Sequence, residues 1–229
     1  MKLLALDTST EFLSLAFQLG DRILTHHQHA GATASQLILP QIQALLATAE
    51  MSLYDLDGIA FGAGPGAFTG VRIACGVAQG LAFGANLPVV GVNTLLALAQ
   101  ASGQQKVIAC LDARMGEIYH AAFVFENGHW QEVRLTTVCK PQLAPSVTGS
   151  DWVGVGSGWA TYTEVLSTLY ADNISQVLPS ITPTASAILN LALPAFIAGQ
   201  AQPASVAAPI YVRNRVALTT DERAQGLRL

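Results

Sequence analysis

Apolar residues come in short unbroken runs at the start of the chain and again near its middle. Lys2-Leu-Leu-Ala-Leu-Asp7 ends in an acid and predicts a buried strand. Glu11-Phe-Leu-Ser-Leu-Ala-Phe17 predicts a second strand, and Asp21-Arg-Ile-Leu-Thr-His-His begins a third. The same order returns in Lys106-Val-Ile-Ala-Cys-Leu-Asp112 and Glu117-Ile-Tyr-His-Ala-Ala-Phe-Val-Phe125, closed by the turn pair Asn127-Gly128. Further on, Gly58-Ile-Ala-Phe-Gly-Ala-Gly-Pro-Gly66 parallels Asp151-Trp-Val-Gly-Val-Gly-Ser-Gly158: an apolar strand running into a glycine loop. Helical spacing follows over residues 35–50, after the first glycine loop, and over 161–170 after the second. The chain therefore reads as two related α/β halves, 1–103 and 104–229, with a C-terminal helix free to pack back on the first half.

The first glycine loop is the densest feature. The glycines of the loop Gly62, Gly64, Pro65 and Gly66 can adopt backbone angles closed to other residues and leave room for a ligand or another backbone. Thr69 stands where an N-cap is expected. Beyond it Gly76, Gly80 and Gly84 recur every fourth residue, beside Ala74, Ala78 and Ala82. Each helix-interior glycine costs roughly 0.5–1 kcal/mol relative to alanine, so three on one face need a reason. Close approach of another helix is one reason, and packing on the protein's own sheet is another. The loop itself could cradle phosphate at a helix N-terminus, although no Walker lysine follows and Arg72 is the nearest cation.

Composition narrows the classes. Only 11% of residues are charged, against roughly 25% in ordinary globular chains. No charge falls between Arg72 and Lys106, or between Asp172 and Arg213, which favours a partner covering part of the surface. These stretches are broken by Asn, Gly and Pro before reaching the length of a membrane span, so no membrane is expected. The eleven Lys and Arg are scattered and the net charge is −4, so nucleic acid is not expected to bind this chain alone. Cys75, Cys110 and Cys139 fit neither a disulfide framework nor a zinc pattern. With no signal-peptide pattern before Asp7, a cytoplasmic location is expected.

Duplicated strand–acid–turn–strand units with facing glycine loops describe the actin-like ATPase (ASKHA) fold shared by actin, sugar kinases and Hsp70, here as two subdomains with mixed sheets. More specifically, Leu4-Ala-Leu-Asp-Thr-Ser-Thr10 and Gly64-Pro-Gly-Ala-Phe-Thr-Gly-Val-Arg-Ile73 resemble the bacterial TsaB (YeaZ) proteins. So do Gln79-Gly-Leu-Ala, Asp112-Ala-Arg-Met-Gly-Glu-Ile-Tyr119, Val155-Gly-Ser-Gly-Trp159 and Pro209-Ile-Tyr-Val-Arg-Asn214. The resemblance implies a subunit needed to make N6-threonylcarbamoyladenosine at position 37 of certain tRNAs. It would act as a non-catalytic scaffold that binds and activates TsaD, its paralogue, with the small ATPase TsaE joining the pair. A homodimer is expected in isolation, and tRNA is expected to be met only through the complex. ATP or ADP could lie at the complex interface; no other cofactor and no metal is implied.

The resemblance places the partner interface on the first two helices. From residues 35–50 it draws Gln36, Leu37, Leu39 and Pro40. From residues 69–85 it draws Thr69, Arg72, Ile73, Gly76, Val77, Gly80, Leu81 and Gly84. The paralogue holds a metal through histidines on its first helix, whereas this helix has none. Ala34 and Ser35 stand where many TsaB sequences carry His-Thr.

Other chemistry has weaker support in the residues. Asp7, Thr8, Ser9, Gly64, Gly66, Asp112, Gly156 and Gly158 could line a nucleotide cleft, while Asp7 and Asp112 could equally cap tight turns. His26, His27 and His29 sit on an expected edge strand, where His26 and His27 face opposite ways. Trp159 and Cys75 read as core residues, and no Ser-His-Asp or Cys-His set stands out. Arg114, Glu117, Arg213 and Arg215 could form ion pairs or an interface, and the tail over 221–226 is expected to be mobile. The competing functions are a stand-alone actin-fold ATPase or phosphotransferase, which needs Asp7 or Asp112, and a metalloprotease, which needs the missing helix histidines.

Overall fold

Two mixed sheets carry the fold, and both follow one plan. The computed structural model describes residues 1–213; Arg215 and the 221–226 tail lie outside the described residues. The first half runs β1 (Lys2–Asp7), β2 (Phe12–Leu19), β3 (Arg22–His29), α1 (Ala34–Thr48), β4 (Gly58–Gly64), α2 (Phe68–Ala85), β5 (Pro88–Asn93) and α3 (Thr94–Ser102). The second runs β6 (Lys106–Arg114), β7 (Glu117–Glu126), β8 (His129–Cys139), β9 (Trp152–Val155), α4 (Ser157–Thr161), α5 (Thr163–Leu169), β10 (Ile174–Leu178) and α6 (Ala185–Ile197). A two-residue β11 (Gln202–Pro203) returns to the first sheet beside β5.

The strand orders are β11-β5-β4-β1-β2-β3 and β10-β9-β6-β7-β8. In each half the first strand pairs antiparallel with the second and parallel with the fourth, in the registers Leu3↔Gly58 and Val107↔Val153. This is the duplicated actin-like plan that the repeated strand–acid units foretell.

Alternation along the strands decides what each face covers. Leu4, Leu6, Leu13, Leu15 and Phe17 point to α1 and α2, meeting Ile38, Ile42, Ala74 and Ala78. The opposite face, with Leu3, Ala5, Ala16 and Ala60, packs on Ile188, Leu189, Ala192 and Phe196 of α6. Small side chains there let α6 lie close; a Cβ on Gly58 would run into the Phe196 ring. The second sheet buries Val107, Ala109 and Leu111 against Leu95 and Leu98 of α3. Its other face buries Ile108, Cys110 and Ile118 under Trp159, Leu166 and Tyr170.

The two halves thus exchange helices. α6 packs on the first sheet, α3 covers the second, and the two helices touch each other. Nothing in the repeat anticipates the forward crossing of α3.

Two local expectations change. Helix α2 starts at Phe68 with Ala67 as its cap, so Thr69 lies inside the first turn. The helix expected over 161–170 is α5, and a short helix α4 stands before it where only a turn was expected, parted from it at Tyr162, whose φ of −123° leaves the helical region. Helix α2 is also the one described helix long and apolar enough to cross a membrane by length and composition. Its Val71, Ala74, Cys75, Ala78 and Ala82 side is buried on the first sheet.

Candidate functional site

The first glycine loop is filled by the protein's own backbone. Asp7 ends β1 and accepts the Ser9 amide (3.2 Å) and hydroxyl (2.9 Å) on Oδ2, an Asx-type turn. The Thr8 hydroxyl donates to the Gly70 carbonyl at 2.6 Å, and the Ala67 amide donates to the Ser9 carbonyl at 2.7 Å. A Cβ on Gly66 would strike the Ser9 carbonyl, and one on Gly70 would strike that of Thr8. These two glycines are therefore explained by the β1–β2 turn seated under the start of α2. Gly64, with φ of +102°, in turn admits the Ile210 carbonyl.

Asp7, Thr8 and Ser9 are all buried. Burial pushes the Asp7 carboxyl up to about 6, against the pull of its Ser9 hydrogen bonds. Its Oδ1 is sealed beside Gly62 with no hydrogen-bond partner among the described residues.

The second loop is filled in the same way. A Cβ on Gly156 would meet the Cys110 carbonyl and Leu98; one on Gly158 would meet Cys110. The Trp159 indole lies against Gly154 and donates to the Ile108 carbonyl at 3.0 Å, which makes it a core anchor. Asp112 accepts the Arg114 amide at 2.9 Å and pairs with the Arg114 guanidinium at 3.2 Å. In both loops the space a side chain on Gly66, Gly70, Gly154, Gly156 or Gly158 would need is taken by the protein's own backbone and side chains.

Histidines are no better placed for a metal. Strand β3 is a sheet edge; His27 stacks on Phe12 at 4.8 Å, and His29 meets the same ring edge-on. Among the described residues no group of three or more His, Cys, Asp or Glu is gathered to hold a metal ion. The donor set of the paralogue's first helix does not fit α1, which carries no histidine. His120, which sequence reasoning passed over, is fully buried with its Nε2 2.9 Å from the Tyr170 hydroxyl. Burial, helped by the charge of Arg134, lowers its pKa to about 4.

The outer face of α1 and α2 is different in kind. A Cβ on Gly76, Gly80 or Gly84 would find nothing within 4 Å, so none of the three is needed for internal packing. Gln36, Leu39, Pro40, Thr69 and Arg72 are exposed beside them, and Leu37, Ile73, Val77 and Leu81 are half-buried. Pro40 lacks the amide that would bond the Gln36 carbonyl in a regular helix. Between the helices Leu39, Ile42, Leu46, Met51, Leu53 and Leu81 line an apolar groove of about 430 Å³.

Sequence reasoning missed Phe83, 77% exposed, and Phe68, 53% exposed. Phe83 follows Gly80 by three residues and Phe68 precedes Arg72 by four, so helical spacing alone puts each beside a residue already singled out.

Comparison with known proteins agrees across nearly the whole chain. Residues 25–219 match the family model described as TsaD, tRNA N6-adenosine threonylcarbamoyltransferase. The chain is similar to the tRNA threonylcarbamoyladenosine biosynthesis protein TsaB of Escherichia coli K12, 38% identical over 95% of this chain and 96% of that one. The protein of the same name from Haemophilus influenzae is 37% identical over 94% of this chain and 95% of its own. Among solved structures, YeaZ from Pseudomonas aeruginosa superposes with a TM-score of 0.85 at 39% identity, covering 92% of this chain and 99% of that one. Another is described as an uncharacterized protein with similarity to peptidase YeaZ from Pseudomonas aeruginosa. It gives a TM-score of 0.86 at 38% identity, covering 93% and 99% of the two chains.

Proposed function

Because the chain belongs to the TsaB family, we propose that it serves tRNA threonylcarbamoyladenosine biosynthesis as a scaffold subunit that binds TsaD through the α1–α2 face. The observation that carries the interface is the open stripe of Gly76, Gly80 and Gly84. Glycines that cost helix stability and touch nothing inside the protein are accounted for by a helix from outside. The flanking apolar groove and the near absence of charge on both helices support a dry helix–helix contact.

On this reading the chain contributes no catalytic residue. The filled glycine loops support that view, and so does the use of Asp7 and Asp112 in their own turns. A nucleotide used by the complex, ATP or ADP, belongs at the interface with TsaD rather than between the two sheets of this chain. TsaE joins the pair, tRNA is met through the complex, and the work takes place in the cytoplasm. Without TsaD the same face pairs two copies of the chain.

Replacing Gly80 by leucine tests this. Sedimentation of the wild type with TsaD should give a one-to-one complex, and the folded Gly80→Leu variant should give none. A Gly80→Leu variant that binds TsaD with unchanged affinity would overturn the interface.

A further inference from the structure

The segment after β11 (Gln202–Pro203) ties the two halves of the molecule together. It runs back along α2, where Gln79 Nε2 donates to the carbonyls of Ala204 at 3.1 Å and Ala207 at 3.5 Å. The Ile210 amide then donates to the Ala63 carbonyl at 2.7 Å, at the end of β4. Next, Tyr211 lies 6.4 Å from Phe68, ring centre to ring centre. Finally Arg213 crosses to the second half, where Nη2 pairs with Glu117 Oε2 at 2.6 Å and donates to the Ala113 carbonyl at 3.1 Å. Only 14% of the Arg213 side chain is exposed. The segment is therefore pinned to both halves of the molecule.

Between these pins stands Arg72. Its guanidinium sits 3.1 Å over the Phe68 ring and 5.0 Å from the Tyr211 ring, and it donates to the Phe68 carbonyl at 3.3 Å. Cation–π contact on two rings fixes the guanidinium at one end of the face. Arg72 is also the only charged residue in α1 and α2 together. Leu81, at the groove, lies nine residues further along α2, roughly 13 Å away by helical rise. A docking helix would thus meet an apolar groove at one end and, among the described residues of α1 and α2, a single fixed cation at the other. Burying that cation without a counter-charge would be costly, so the partner must answer it.

We propose that residues 207–213 are a strap that holds Arg72 in position to receive a carboxylate of the docking partner. Tyr211 and Arg213 are positioning residues that act through Arg72, and the carboxylate sets the direction in which the partner helix lies. The proposal rests on the α1–α2 face being the TsaD-binding face.

The test is a double-mutant cycle by titration calorimetry with TsaD, at low and at high salt, on variants whose far-UV circular dichroism matches the wild type. Arg72→Ala and Tyr211→Ala should each weaken binding about tenfold and remove its salt dependence. Arg213→Ala should weaken it less, and Tyr211→Phe, which keeps the ring, should bind as the wild type does. In an Arg72→Ala background, Tyr211→Ala should cost nothing more. Equal losses from Tyr211→Ala in both backgrounds would mean that the strap touches the partner itself, and no loss in either would mean that it positions nothing; both overturn the proposal. Failure of the face itself reads differently, because then Gly80→Leu leaves binding unchanged.

Discussion

The Thr8 hydroxyl reaches the Gly70 carbonyl at 2.6 Å, and the Thr8 carbonyl lies so close to Gly70 that no side chain fits between them. This contact joins the β1–β2 turn to the first turn of α2. It separates two sets of glycines that look alike in the sequence.

Gly70→Ala is expected to be strongly destabilising. The new Cβ would collide with backbone, which cannot swing aside as a long side chain can. Overpacking of this kind costs about 1–3 kcal/mol or more. Urea unfolding should show the midpoint falling, and Gly66→Ala, which meets the Ser9 carbonyl, should behave alike.

Gly80→Ala should do the opposite. Its Cβ meets nothing within 4 Å on an exposed helix face, so the gain is the helix preference of alanine, roughly 0.5–1 kcal/mol. Stability by urea unfolding should rise while affinity for TsaD falls. A glycine that lowers the stability of its own helix is then serving an interface, and a rise in both quantities would deny that.

Tyr170 ties three elements together. Its hydroxyl lies 2.7 Å from the Pro145 carbonyl and 2.9 Å from His120 Nε2. Donation to Pro145 leaves the Tyr170 oxygen to accept from a neutral His120 protonated on Nε2. Tyr170→Phe would strand both partners, at a cost of about 1–3 kcal/mol in urea unfolding, with the secondary structure retained.

The repeated units were legible because their apolar runs are closed by an acid or a turn residue, and strands β1–β3, β6 and β7 fall where those runs put them, while β8 was not read. The start of α2 was not legible. Thr69 has the chemistry of a cap, but the Asp7–Ser9 turn below fixes the chain direction and begins the helix two residues earlier, with Ala67 as the cap. Whether a glycine faces inward or outward also stayed hidden, since Gly66 and Gly70 answer to residues about sixty positions away. The crossing of α3 is a tertiary choice: Leu95 and Leu98 would suit either sheet, and α6 already occupies the first. The strap escaped because no local pattern links Tyr211 to Arg72.

Asp7 and His120 should give the protein opposing pH dependences. Asp7 has a carboxyl raised from the usual 3.8 to about 6 by burial, so the folded state holds its proton longer than the unfolded chain does. Stability from this group is full at low pH and is lost as pH rises from about 4 to about 6, a change of about 3 kcal/mol. His120, lowered from 6.5 to about 4, works the other way: its contribution is full above 6.5 and is lost as pH falls toward 4. In the wild type the two slopes largely cancel. Asp7→Asn removes one of them, because an amide can still accept from Ser9 and carries no charge to bury. Urea unfolding across pH 4.5–8 should therefore find Asp7→Asn gaining on the wild type as pH rises, with its own stability falling steeply toward acid. A constant difference between the two proteins over that range would mean that Asp7 does not change its protonation on folding, and that the sealed turn beneath α2 holds its charge at no cost.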